Sequence, residues 1–284
     1  MIFVTGAGGT VGSEVVRALS NAGAKLRAGY SSEEKAAKAR GLGIDAAAAD
    51  FSQPDTLPAV LRGCDHLFLL GATAPNQTEL EIGVVRAARD AGIQHVVKLS
   101  VWGAEEEAFT FARLHRPVER FIESSGLGWT FLRPNGFMQN LVNFLAAAIK
   151  SQNTLYQPAR NAAISHVDVR DIAAVAVRAL TSPGHVGRAY VLSGPEAVTY
   201  GQIAEKLTAL LGREISYVDM PDDAAKQVML GMGISEWYAN AMLDLVHYYV
   251  AGRASRVTQA VREVTGRDAI SYDRFLADHI AALR

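Results

Sequence analysis

Gly6, Gly9 and Gly12 recur at every third position in the run Thr5-Gly-Ala-Gly-Gly-Thr-Val-Gly12. A loop of this kind can cradle a pyrophosphate. One glycine permits a tight turn, one lets the backbone approach the phosphates, and one lets a helix pack closely on a strand. Thr10 and Val11 stand at the expected helix start, where free N–H groups and the helix dipole favour an anion. The loop follows the apolar run Ile2, Phe3, Val4 directly, so the expected order is strand, phosphate loop, helix, and the expected ligand is a dinucleotide.

Other residues fall where this plan would place the rest of such a ligand. Asp50 and Phe51 follow the expected third strand, beside the adenine. There the acid either accepts from the exocyclic amine or caps the turn ahead of Pro54. Gly71 and Ala72 follow the apolar run 67–70 and let backbone pass near the dinucleotide, or make an ordinary turn. At the tip of strand two an acid would bind the ribose 2′-hydroxyl, whereas a basic or polar group would accept a 2′-phosphate. The chain reads Arg27-Ala-Gly-Tyr-Ser31-Ser32, with no acid at the tip. Ser31 is the expected phosphate ligand, with Arg27 or Lys35 as a source of charge, and NADP(H) is favoured over NAD(H).

These residues need a parallel sheet to position them. Strands are expected at 2–4, 25–30, 44–49, 66–70, 95–99 and 129–132. Helices are expected between them, at 11–22, 33–40, 54–61, 79–91 and 114–124. Repeated β–α units imply an α/β fold, a Rossmann-type doubly wound parallel sheet with ligand at the carboxyl ends of its strands. After residue 134 helical patterns dominate, at 137–150, 169–180, 200–211, 222–230, 235–250, 256–264 and 272–283. Short strands at 189–192 and 215–219 interrupt them, and the first is able to return to the main sheet. The expected division is a dinucleotide-binding domain at 1–134 and an interleaved, mainly helical substrate subdomain at 135–284, with the substrate cleft between them.

Composition narrows the function. A net charge of −1 over 284 residues argues against nucleic acid as a partner. The single cysteine, Cys64, excludes a disulfide framework, and the histidines show no metal-ligand spacing. No apolar run is long enough to span a membrane. The chain opens on a core strand with no signal peptide, so a cytoplasmic location is expected. A homodimer is an open possibility.

Several segments resemble the short-chain dehydrogenase/reductase superfamily, and more closely its atypical NmrA-like branch, which includes quinone and triphenylmethane-dye reductases. They are residues 5–12, the pair Asp50-Phe51, Ala87-Ala-Arg-Asp-Ala-Gly92, Trp129-Thr-Phe-Leu-Arg-Pro-Asn-Gly-Phe-Met138, His166-Val-Asp-Val-Arg-Asp171 and Tyr190-Val-Leu-Ser-Gly194. Most members of the superfamily use a Tyr-x-x-x-Lys pair to move a proton. Here Phe111 stands at the tyrosine position and His115 at the lysine position. The strand-two arginine of the branch is also replaced, by Ser31-Ser32.

The resemblance implies an NAD(P)H-dependent reductase that passes hydride to a quinone, dye or similar planar conjugated substrate, which needs no protein acid. His115 would hydrogen-bond the nicotinamide ribose or a substrate oxygen. Ser100, at the position of the superfamily's catalytic serine, would orient substrate. Trp102, Asn135, Phe137, Met138, Trp237 and Tyr248 are the expected pocket lining, and the segment 166–168 is expected to tie the subdomains together. Two alternatives remain open: a non-catalytic dinucleotide-sensing regulator, and a biosynthetic reductase like isoflavone reductase.

Overall fold

Residues 1–284 are all described by a computed structural model. The strands are β1 (Ile2–Val4), β2 (Leu26–Tyr30), β3 (Ala46–Ala48), β4 (His66–Leu69), β5 (His95–Leu99), β6 (Gly128–Pro134), β7 (Thr154–Gln157), β8 (Arg188–Leu192) and β9 (Ser216–Asp219). The helices are α1 (Thr10–Asn21), α2 (Glu33–Gly41), α3 (Leu57–Leu61), α4 (Gln77–Asp90), α5 (Thr110–Glu123), α6 (Ala146–Gln152) and α7 (Val169–Thr181). They continue as α8 (Tyr200–Leu211), α9 (Asp222–Gly231), α10 (Glu236–Val250), α11 (Ala260–Thr265), α12 (Tyr272–Asp278) and α13 (Ile280–Leu283). No helix is long and apolar enough to cross a membrane.

Seven strands form the main sheet in the order β3-β2-β1-β4-β5-β6-β8, and β1 to β6 pair in parallel. This is the Rossmann order, and the connection reverses between β1 and β4, where such sheets bind ligands. The expected strand at 189–192 does return to this sheet, as its edge strand β8.

The chain divides into two compact units. The first comprises Met1–Glu106, Ala112–Arg133 and Val169–Tyr190. The second comprises Glu107–Phe111, Pro134–Asp168 and Val191–Arg284. Helix α7, late in sequence, belongs to the first unit and packs on α1.

In the first unit, strand alternation sorts side chains to two faces. Phe3, Leu67, Leu69, Val96 and Phe131 pack with Leu57 and Leu61 of α3, Val84, Val85 and Ala88 of α4, and Val118 and Ile122 of α5. Lys98 follows Val96 on the same face of β5, and Ser100 comes next in that row. The row therefore passes from apolar to polar toward the carboxyl end of the sheet. The buried face of α4 does the same in reverse, starting with Gln77 and Glu81 before Val84, Val85 and Ala88.

An ion-pair network closes the α5 side. Glu119 is fully buried and receives a two-pronged contact from Arg133, Nε to Oε1 at 3.0 Å and Nη2 to Oε2 at 2.8 Å. Arg116 also donates to Glu119, and Arg133 reaches Glu105. Burial pushes the Glu119 carboxyl up, but the cations Arg133 and Arg116 beside it lower it by more, and the pKa lies below the usual carboxylate range.

The second unit has its own core, built from Met138, Leu141, Leu145 and Ile149 with residues of α8, α12 and α13. A parallel two-stranded sheet, β7 with β9, borders it. Strand β7 was not expected, and four residues following a helix carry too short a pattern to announce it. Helix α5 starts at Thr110, four residues before the expected 114, and the stretch 54–61 opens with a 3-10 turn at Pro54–Thr56 before α3. Three further helices differ from their expected bounds for visible reasons. The stretch 137–150 becomes helical late because Met138 N–H donates to Val167 and Phe137 bridges that residue; a π-helical turn at Leu141–Leu145 then leads into α6. The stretch 256–264 is helical only from Ala260, because Thr258 N–H donates to Ser193 Oγ at 2.8 Å and its hydroxyl donates to the Val191 carbonyl. The last helix breaks at His279, whose Nδ1 lies 2.8 Å from the Phe275 carbonyl.

The Glu119 network yields a stability prediction. Arg133→Met leaves a buried carboxylate short of its main partner, and unfolding free energy should fall by about 3–5 kcal/mol. In the wild type the lowered carboxyl contributes stability above pH about 4.5 that is lost as pH falls through the folded value. Denaturant titrations across the acid range should show this slope diminished or reversed in the variant. An unchanged slope would mean that Arg133 does not hold Glu119.

Candidate functional site

The glycine loop is tight and is held by its own backbone. Gly6 sits at φ +62°, in the left-handed region. A Cβ on Gly12 would lie 2.0 Å from the Gly6 carbonyl oxygen, so α1 packs on the loop only because residue 12 has no side chain. Gly9 caps α1 without a side-chain hydrogen bond, and no acidic residue lies in the first turn. The free N–H groups of that turn therefore point from an uncapped, exposed helix end at Thr10, a site suited to an anion. Thr5 ties the loop to the neighbouring strand: its Oγ1 accepts from Leu70 N–H at 2.7 Å and lies 3.0 Å from the carbonyls of Phe68 and Leu70. Among the candidate residues, Gly6, Gly9, Thr10, Val11 and Gly12 lie together in this loop and the first turn of α1.

At the tip of β2, Lys35 Nζ donates to Ser31 Oγ at 3.3 Å, and Ser32 caps α2. Arg27 is committed elsewhere, to Asp45 and to the Val60 carbonyl. Asp50 accepts from the N–H and hydroxyl of Ser52 at 2.9 and 2.7 Å, and from Gln53. Those Ser52 hydrogen bonds hold its carboxyl below the usual range. This is the turn-capping arrangement. Phe51 lays its ring against the first unit's core.

The carboxyl ends of β4 and β5 carry a polar cluster that the motifs did not announce. Glu81 and Lys98 are fully buried and ion-paired. Glu81 Oε1 accepts from Gly71 N–H and from Gln77 Nε2, each at 3.1 Å. A Cβ on Gly71 would lie 2.8 Å from that same oxygen, which explains the glycine. Lys98 Nζ also donates to the Leu99 carbonyl at 3.0 Å and to His115 Nδ1 at 3.1 Å. His115 is half-buried, and burial first, then the charge of Lys98, hold its pKa well below the usual histidine value. The structure therefore joins Gly71 and His115 through Glu81 and Lys98. Ala72 is exposed beyond them. Ser100 is buried at the end of β5, and its Oγ has no hydrogen-bond partner.

The expected pocket residues divide. In the second unit, both Asn135 amide hydrogens are engaged, by Ser165 Oγ at 2.9 Å and the Ala254 carbonyl at 2.8 Å. Met138 is a core residue, and Tyr248 is buried against Phe109 with Arg253 over its ring. Phe137 and Trp237 are partly exposed. In the first unit, Trp102 is buried. The segment 166–168 links loops of the second unit: Gly194 N–H donates to the His166 carbonyl, Val167 N–H to Gly136, and Gln139 to Asp168. Phe111, at the usual tyrosine position, is buried with its ring 5.8 Å from that of Tyr238.

The cradle is tested by filling it. Gly12→Ala must push the Gly6 carbonyl out of place, and affinity for NADPH, read by fluorescence titration, should fall at least about tenfold. Wild-type affinity in the variant would place the phosphates elsewhere.

The model of the NmrA-like family matches residues 1–263. An NAD(P)H azoreductase of Xenophilus azovorans is 38% identical over 283 residues, covering 99% of both chains. A (4-alkanoyl-5-oxo-2,5-dihydrofuran-3-yl)methyl phosphate reductase of Streptomyces griseus subsp. griseus is 36% identical over 284 residues, again covering 99% of both. The fold matches that of an NADPH-dependent quinone oxidoreductase from Escherichia coli complexed with NADPH, with a TM-score of 0.88 at 23% identity over 99% of this chain and 100% of that one. On sequence and fold alike, the chain belongs to the NmrA-like family.

Proposed function

We propose that the protein reduces a planar, electron-poor acceptor such as a quinone or dye by direct hydride transfer from NADP(H), without a tyrosine–lysine acid pair. In coarser terms the protein is an NAD(P)H-dependent oxidoreductase, which rests on its full-length similarity to the azoreductase and the dihydrofuran phosphate reductase. The observation that carries the finer reading is His115. It stands at the usual lysine position, tied to Lys98 and held neutral near pH 7. An acceptor of hydride that is already electron-poor needs no protein acid, because water protonates the product later. The azo group and the oxo- and alkanoyl-bearing ring in the relatives' names are both acceptors of this kind.

When bound, the nicotinamide supplies the hydride. The chain's own residues bind and orient. The loop Gly6–Gly12 and the first turn of α1 hold the pyrophosphate. Lys35 and Ser31 form a charged, hydrogen-bonding pair for a 2′-phosphate, which favours NADP(H). Asp50 and Phe51 border the adenine. His115 donates to the ribose or to an acceptor oxygen. Phe137 and Trp237 offer aromatic faces to a planar ring.

NADPH oxidation with menadione, methyl red and malachite green should show turnover with at least one acceptor. No turnover across such a panel, with tight NADPH binding, would contradict the reading and leave a redox sensor. Lys35→Glu should weaken NADPH about tenfold while sparing NADH. Equal weakening of both cofactors would remove Lys35 from the phosphate site.

A further inference from the structure

The valences of the Lys98 cluster fix the position of one proton. Lys98 Nζ is ion-paired with Glu81 Oε2 and makes hydrogen bonds to the Leu99 carbonyl and to His115 Nδ1. An ammonium has no lone pair, so His115 Nδ1 must accept. A neutral imidazole that accepts at Nδ1 carries its proton on Nε2. The nearest side-chain nitrogen to that proton is Gln77 Nε2, at 3.5 Å. Gln77 Nε2 is itself a donor, because it donates to Glu81 Oε1. Two donors face each other there, and the contact is no hydrogen bond. Turning the amide over would offer Gln77 Oε1 to the imidazole, but would set that oxygen against Glu81 Oε1. Glu81 therefore holds Gln77 in the orientation that leaves the His115 Nε2–H without a side-chain acceptor.

We propose that Glu81 and Lys98 are positioning residues that lock His115 as the Nε2–H tautomer and so present that N–H to an oxygen of the bound dinucleotide or acceptor. The inference rests on the reading of His115 as a cofactor-site residue given above. The charged group that meets the ring is Lys98 from β5, itself ion-paired with Glu81 from α4. Arg116, its neighbour on α5, is turned to Glu119 and Glu123. With its pKa held low by burial and by Lys98, the ring serves as a fixed neutral donor, not as an imidazolium acid. The cluster also reaches the loop after β4, because the Glu81 oxygen that orients Gln77 takes the Gly71 N–H. One buried carboxylate thus sets both a backbone segment expected beside the dinucleotide and the tautomer of the histidine.

Long-range 1H–15N NMR of histidine-labelled protein reads the tautomer without cofactor or turnover, with His115 assigned through a His115→Gln variant. The wild type should show only the Nε2–H form from about pH 6 to about pH 9. An Nδ1–H form, or an imidazolium, in that range would overturn the lock. The double variant Lys98→Met/Glu81→Gln removes both charges and keeps an acceptor for Gly71 N–H. It should show mixed tautomers, and persistence of pure Nε2–H would also overturn the proposal. The wild-type spectrum decides the lock even if the double variant does not fold. Kinetics separate this from the role of His115. His115→Ala should lower kcat or NADPH affinity about tenfold. Unchanged values with a wild-type Nε2–H spectrum would remove His115 from the site and leave the tautomer lock standing.

Discussion

A charged lysine inside a Rossmann sheet has to be paired, and that requirement organises the carboxyl end of this one. Lys98 has no solvent exposure, so each of its ammonium hydrogens needs an acceptor within the protein. Glu81 supplies the counter-charge, and its other oxygen needs donors in turn, which Gly71 and Gln77 provide. The last hydrogen of Lys98 takes the imidazole of His115. A single buried charge thereby couples strand β5 to helices α4 and α5 and to the loop after β4. Replacing such a pair by apolar side chains is often no less stable, so stability alone does not explain its presence in a core otherwise filled by Val, Leu and Ala.

The same row of β5 shows how the sheet changes character along its length. Val96 belongs to the apolar cluster, Lys98 to the polar one, and Ser100 ends the row as a buried hydroxyl. The glycine loop after β1 sits at the corresponding end of its strand, fastened to β4 by Thr5. Parallel strands bring these ends to one edge, where the following helices start. The glycine loop and the His115 cluster are two products of one geometry.

Much of this was legible in the chain itself. The glycine spacing, the short apolar runs and the helical periodicities locate the sheet and its phosphate loop, because those signals are local. Lys98 was not legible: within His-Val-Val-Lys-Leu it looks like a charge at the end of a strand, and its burial depends on Glu81, seventeen positions earlier on a helix. Asn135, Met138 and Tyr248 carry side chains typical of a pocket, yet packing turns them into the second unit's structure. Composition does not separate an aromatic that faces a ligand from one that faces a neighbour. The late start of α11 was equally hidden, since it depends on Ser193 and Ser165 taking up polar groups of the stretch 254–258.

The proposed function rests on a histidine held neutral by burial and by a neighbouring cation. Hydride transfer in such a site should be indifferent to pH. The most direct measurement is the single-turnover rate of NADPH oxidation by a quinone in stopped flow, across about pH 6 to about pH 9. A flat profile is expected. A rate that falls about tenfold per pH unit on the alkaline side would reveal an essential protein acid and contradict this account.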